Sequence, residues 1–181
     1  VLVRSGLLSP RLFALEEGQR LFVSPNFQGM FTLNEVPAEF NLVLIATGTG
    51  VAPYMSMLRS QIGGNFRQRI AVVHGAARVS DLGYHDELER LDKTYSGFNY
   101  IPVISRPDEE SGAWAGEIGR VEKLWVENRV RDLWQVDLTP ENTHIFLCGS
   151  PYMIEDMKEI LGGQGFREHT ERQEGQVHVE K

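Results

Sequence analysis

The sequence predicts an α/β protein, a parallel doubly wound sheet preceded by the last strands of an antiparallel β-barrel. Three observations carry this. The apolar run Leu42-Val43-Leu44-Ile45-Ala46 passes into Thr47-Gly48-Thr49-Gly50-Val51-Ala52-Pro53. Beyond it, strand-like and helix-like segments alternate to the end of the chain. Before it, residues 1–38 hold only short apolar pieces broken by Gly and Pro.

Taken in order, Val1-Leu2-Val3 is strand-like, and Gly6-Leu7-Leu8-Ser9-Pro10 is a turn into a short helix. Ser9 suits its N-cap and Pro10 its first position. Leu21-Phe22-Val23 and Gly29-Met30-Phe31-Thr32-Leu33 are strand candidates separated by Pro25-Asn26. These pieces cannot close a sheet by themselves. The chain also begins inside a strand and without Met, so it reads as a fragment whose earlier strands precede Val1. Val36–Asn41 reads as a linker, dividing the chain into 1–38 and 39–181.

Leu42 to Ala46 has the length of a strand covered on both faces. Gly48 and Gly50 permit torsions closed to other residues, and Pro53 fits the first position of a helix whose buried face is Met55, Leu58 and Ile62. Arg69–His74 is the second strand. Tyr84, Leu88, Leu91 and Tyr95 mark one face of a helix opened by Ser80 or Asp81. Asn99–Ser105 is the third strand, with Pro102 an irregularity in it. The loop Arg106–Gly116 holds the acidic run Asp108-Glu109-Glu110, most simply a solvated segment. Ile118 to Val136 is expected to be helical, with Asn128 a potential break. Thr143–Cys148 is another buried strand. Gly149-Ser150-Pro151 then repeats the turn-and-Pro pattern with Ser150 as N-cap. Met153, Met157, Ile160 and Leu161 form the buried face of a last helix stopped by Gly162-Gly163. The tail Val177–Lys181 is strand-like.

A strand, a glycine turn and a helix N-terminus together favour an anion, because free N–H groups and the helix dipole converge there. No Lys follows the turn, so it is not a P-loop. The pattern is G-x-G-x-x-P, without the third glycine of the usual dinucleotide fingerprint. Parallel sheets bind ligands at the carboxyl ends of their strands. That edge carries Thr47–Gly50, His74–Arg78, Ser105-Arg106 and Cys148–Pro151. No acid follows the second strand until Asp81, whereas Arg78, Arg106 and Arg120 offer guanidinium forks suited to a phosphate. This tilts the choice toward a 2′-phosphorylated dinucleotide and leaves NAD as the alternative; Glu117 would oppose a phosphate. Cys148 reads as a packing thiol, or as a nucleophile for which no base is identifiable. His74 and His144 read as structural, since no ligand-spaced cluster accompanies them and no metal is expected.

The net charge of −7 argues against a nucleic-acid binder. Cys148 is the one cysteine, which leaves no disulfide and no cysteine-ligated iron–sulfur cluster within this chain and fits a reducing cytoplasm. No apolar run approaches the ~20 residues of a membrane span, so no membrane insertion is expected.

Gly6-Leu7-Leu8-Ser9, Thr47–Pro53, Ser105-Arg106, Gly119-Arg120, Cys148–Pro151 and Val179-Glu180-Lys181 together resemble the ferredoxin–NADP⁺ reductase family of bacterial type, in the family's order and over nearly the whole chain. The resemblance implies a Rossmann-like NADP-binding domain after the end of an FAD-binding barrel. It also implies hydride transfer between NADP(H) and FAD, and electron exchange with ferredoxin or flavodoxin by a cytoplasmic monomer. Carried over by position, Leu7, Leu8 and Ser9 meet the FAD pyrophosphate. Thr47, Gly48, Thr49, Gly50 and Pro53 shape the dinucleotide turn. Cys148, Gly149, Ser150 and Pro151 border the nicotinamide, with Thr49 and Cys148 at the reacting centre. Arg78, Arg106 and Arg120 hold the 2′-phosphate, and the tail through Lys181 runs toward the flavin. Three features depart from the family. Its Arg-x-Tyr-Ser/Thr flavin motif is absent, the arginine after the second strand stands one place late, and no aromatic residue ends the chain. The alternatives are a non-catalytic nucleotide-binding or electron-transfer subunit of a larger complex, or an NAD(H)-preferring flavin reductase.

Overall fold

A computed structural model describes residues 6–26, 29, 31–61, 68–107 and 114–180. The chain divides into two units, Val1–Met30 and Phe31–Lys181.

In the first unit the regular structure among the described residues is one short helix, α1 (Ser9–Phe13). Its N-cap is Leu8 rather than Ser9, no side chain caps it, and Pro10 is its second residue. Leu21-Phe22-Val23, expected as a strand, is irregular and exposed, Phe22 at 88%. A strand persists only where its N–H and C=O groups find a partner, and no described segment pairs with this one. Val1–Val3 and Met30 lie outside the described residues. Phe31 and Leu33 are not strand residues either. They belong to the second unit and pack on its core, where the Phe31 ring meets Phe146 at 5.1 Å and Tyr54 at 6.0 Å between centroids.

The second unit is a six-stranded sheet in the order β4-β3-β2-β1-β5-β6. The strands are β1 (Asn41–Thr47), β2 (Ile70–Ala76), β3 (Phe98–Ile104), β4 (Glu117–Ile118), β5 (Thr143–Cys148) and β6 (Val177–Glu180). Every neighbouring pair is parallel. The helices are α2 (Val51–Gln61), α3 (His85–Thr94), α4 (Val121–Val126), α5 (Arg129–Trp134) and α6 (Pro151–Gly163). Side chains alternate across a strand, so β1 feeds two cores. Leu42, Leu44 and Ala46 pack with α2 and α3 residues such as Tyr54, Leu58 and Leu88. Val43 and Ile45 pack with α4, α5 and α6 residues such as Leu124, Trp134 and Met157. The sheet is therefore covered on both faces, as its near-continuous apolar strands require.

Local expectations needed correction where short-range geometry intervened. A 3₁₀ turn, Gly48–Gly50, precedes α2, which starts at Val51, so Pro53 is its third residue rather than its first. The missing N–H still falls within the first turn, where no intrahelical bond is lost. Tyr84 does not join the buried face of α3. It adopts a left-handed conformation (φ 61°) just before the helix and is 44% exposed. The helix expected over 118–136 is three elements, because Glu117-Ile118 pairs with Val103-Ile104 as β4 and left-handed Asn128 (φ 59°) separates α4 from α5. Ser150 stands at the N-cap of α6 without a side-chain cap bond. Ile62, Asp108–Glu110 and Lys181 lie outside the described residues. No described helix is long and apolar enough to cross a membrane.

Candidate functional site

The carboxyl ends of β1 and β5 meet with almost no side chain between them. Gly50 is buried, and a Cβ placed on it would stand 2.2 Å from the carbonyl oxygen of Cys148. Gly149 has φ +139°, and a Cβ there would stand 2.3 Å from Thr47 Oγ1. That oxygen accepts a 2.7 Å hydrogen bond from the Ser150 N–H, joining the two turns. Gly48 is different. Its φ is +54°, yet nothing lies within 4 Å of where a Cβ would be. Here glycine serves a left-handed torsion and leaves the backbone facing open space, with Thr49 exposed beside it. A flat ring or an anionic bridge can approach this bare backbone closely.

On the other side of β1, three arginines follow three neighbouring strands. Arg78 follows β2, Arg106 follows β3 and Arg120 follows β4. Adjacent strands lie about 4.8 Å apart, so these positions share one stretch of rim. Their backbones are tied together: Ser105 N–H donates to Ala76 O and Arg106 N–H to Ala77 O, each at 3.0 Å, and Gly119 N–H donates to Ile104 O at 2.9 Å. Glu117, the expected opponent of a phosphate here, forms an ion pair with Arg129 that offsets its charge.

Cys148 is half-buried at the end of β5, in register with Glu180 of β6. Its Sγ donates to Glu180 Oε2 at 3.8 Å. Burial, and secondarily the Glu180 carboxylate, push the thiol up to about 11. With that value only about 0.1% is thiolate at pH 8, against roughly a quarter for an ordinary cysteine. Iodoacetamide should alkylate Cys148 on the order of 100-fold more slowly than glutathione at pH 8. Comparable rates would mean that the thiol is activated. This thiol shapes a wall and holds its proton.

Leu7, Leu8 and Ser9 lie in the first unit, with Leu7 and Leu8 exposed. The tail does run along β5 toward the carboxyl edge, with Lys181 just beyond the described residues. His178 in that tail is buried, its ring stacked on Phe146 at 4.3 Å and 12°. Two buried side chains hold the rim from below: Tyr54, which sequence reasoning missed, and His74, which it reads as structural without a partner. Tyr54 Oη donates to Ile45 O at 2.9 Å. His74, fully buried, brings Nε2 to 3.0 Å from Gly48 O. Their one signal was a polar atom in an apolar, periodic segment, which must find a partner.

A bare glycine rim at the carboxyl edge of a doubly wound parallel sheet, flanked by arginines, defines a dinucleotide-binding α/β domain. The profile of the oxidoreductase NAD-binding domain family matches residues 44–159. The flavodoxin/ferredoxin–NADP reductase of Buchnera aphidicola (subsp. Baizongia pistaciae) is 30% identical, with 99% of this chain and 72% of that protein aligned. The Escherichia coli K12 protein of the same name is 33% identical over 86% of this chain and 62% of its own length. The crystal structure of a ferredoxin–NADP⁺ reductase from Neisseria gonorrhoeae with bound FAD and NADP superposes with a TM-score of 0.82 at 25% identity, covering 99% of this chain and 71% of that one. This chain belongs to the flavodoxin/ferredoxin–NADP reductase family.

Proposed function

We propose that residues 39–181 bind NADP(H), that residues 1–38 end an FAD-binding barrel domain, and that the protein transfers hydride between the two cofactors. Its proposed electron partner is a ferredoxin or flavodoxin, and its proposed setting is the cytoplasm, as a monomer. The observation that carries this reading is the open backbone at Gly48 beside arginines that follow β2, β3 and β4. The residues present fit a 2′-phosphorylated dinucleotide, because bare peptide accepts close approach and guanidinium forks match a phosphate. FAD, when bound, supplies the hydride and single-electron chemistry.

The protein's part is positional. Leu7, Leu8 and Ser9 are assigned to the FAD pyrophosphate. Thr47 through Gly50 and Pro53 are assigned to the dinucleotide bridge. Thr49, Cys148, Gly149, Ser150 and Pro151 border the nicotinamide, and the tail at Lys181 approaches the flavin. Arg78, Arg106 and Arg120 read the 2′-phosphate. Because Cys148 keeps its proton, it presents a neutral wall to a ring that changes charge on reduction. No side-chain general base is required for hydride transfer between two cofactors.

The test is the full-length protein. It should be yellow, with a flavin spectrum that NADPH bleaches under anaerobic conditions; a colourless protein that never bleaches overturns the reading. Removing Arg106 should separate the two nicotinamide cofactors. Arg106→Ala should weaken NADPH about tenfold, the worth of a charge-assisted hydrogen bond, while NADH changes less than about twofold. Equal losses for NADPH and NADH, measured as Kd, would remove Arg106 from the phosphate site.

A further inference from the structure

Gly48 has the open surroundings that Gly50 and Gly149 lack, yet its carbonyl is fixed from inside the sheet. His74 of β2, opposite Ala46 in register, brings Nε2 to 3.0 Å from Gly48 O. Its other ring nitrogen, Nδ1, is 3.4 Å from Tyr100 Oη of β3. Tyr100 Oη is in turn 3.3 Å from His85 Nδ1, and His85 Nε2 faces Glu89 at 3.6 Å. The partners assign the protons. A carbonyl only accepts, so His74 Nε2 carries a hydrogen. Burial disfavours the imidazolium of His74, so Nδ1 keeps its lone pair. Tyr100 therefore donates to His74, and His85 Nδ1 lies at hydrogen-bond distance from the same oxygen.

We propose that His74, held in register by Tyr100, is the positioning residue that sets the Gly48–Thr49 peptide for dinucleotide binding; this rests on the function proposed above. In a trans peptide the C=O and the following N–H point in opposite directions. Fixing Gly48 O toward His74 turns the Thr49 N–H away from the core. Glycine alone would let that peptide rotate, since φ +54° is one of several conformations open to it. A neighbouring strand thus adds a side-chain constraint to that of the 3₁₀ turn itself.

The test uses the full-length holoprotein, with NADP⁺ binding followed by flavin difference spectra. The Thr49 amide resonance is followed in nucleotide-free protein. His74→Leu should weaken NADP⁺ about tenfold, as loss of one buried hydrogen bond to the site predicts, and should shift or broaden the Thr49 amide. His74→Gln, which restores an N–H donor, should stay within about threefold of wild type. Tyr100→Phe, which loses only an oxygen, should fall between them. Wild-type affinity in His74→Leu, or equal losses in His74→Leu and His74→Gln at equal melting temperatures, would overturn the proposal. Should His74→Leu fail to fold, an unchanged Thr49 amide and affinity in Tyr100→Phe would do the same. If wild type itself ignores NADP⁺ while the Thr49 amide still responds to His74, the anchor stands and the functional reading falls instead.

Discussion

Gly50→Ala should destabilise the folded chain by more than about 3 kcal/mol, whereas Gly48→Ala should cost only about 1 kcal/mol. The two glycines are two residues apart in one turn, and they are glycines for different reasons. At Gly48 the obstacle is torsional. The backbone sits at φ +54° and a Cβ would meet nothing, so the cost is that of placing one L-residue in the left-handed region. At Gly50 the torsion is ordinary and the obstacle is atoms. A methyl group would lie 2.2 Å from Cys148 O, 2.5 Å from Cys148 C and 2.8 Å from Gly149 N. These are backbone atoms, which cannot rotate aside as a side chain would. Relief requires moving the end of β5 or the start of α2. Each carries buried residues, Leu147 on one and Val51 on the other. The same displacement would open the rim, so Gly50→Ala should also lose nucleotide binding. Gly48→Ala should weaken binding too, because its methyl group would stand in the open space assigned to the dinucleotide, but with little loss of stability. Urea unfolding of both variants decides the matter. Losses within 1 kcal/mol of each other would mean that β1 and β5 do not meet as described.

This contrast marks where the sequence was legible and where it was not. β1, β2, β3 and β5 could be read to within a residue or two because each is a run of apolar side chains bounded by turn residues. Burial on both faces leaves few other ways to hide such a run. The turn at Gly48–Gly50 and its counterpart at Gly149–Pro151 were legible for the same local reason. The division of labour between Gly48 and Gly50 was not, since it depends on Cys148, almost a hundred residues away. β4 went unread because two residues carry no periodicity, and Glu117-Ile118 is a strand only because Val103-Ile104 lies beside it. Leu21-Phe22-Val23 shows the converse, a segment with strand composition but no described neighbour to pair with. His74 reads as structural because no ligand-spaced cluster accompanies it. Its bond to Gly48 depends on β1 and β2 being neighbours in a particular register, which no single segment encodes.

Acidification from pH 7 to pH 4.5 should lower the stability of the folded chain by about 2 kcal/mol through the histidines behind β5 and β6. His178 is stacked on Phe146 and lies 4.8 Å from His169 and 5.2 Å from His144 between ring centroids. Its Nε2 is 2.9 Å from His144 Nδ1, a spacing that leaves room for one shared proton and not for two charged rings. Burial first, and then its two histidine neighbours, push His178 down to about 3. His144 is lowered as well, by burial and then by His169. Glu35 is engaged at 2.6 Å by His169, and Glu171 and Glu174 line the same cavity. A histidine lowered in the fold is neutral there while its unfolded counterpart, near 6.5, takes up a proton. Its contribution is therefore complete above pH 6.5 and is lost as pH falls from there toward 3. The full linkage slope is about 1.4 kcal/mol per pH unit for one such group. A cavity of about 790 Å³ beside His144 and His169 admits water, and screening should reduce that slope to roughly half. His144 adds in the same direction. The carboxylates held low by partners, Glu87 and Glu89, are surface groups that titrate below this window. His178→Phe keeps the stack and removes the titrating ring. It should begin about 1 kcal/mol less stable at pH 7, because His144 loses a partner, and then lose less than wild type down to pH 4.5, the remainder coming from the buried His144 and His74. Parallel pH profiles for wild type and His178→Phe in urea unfolding would show that the acid sensitivity resides elsewhere.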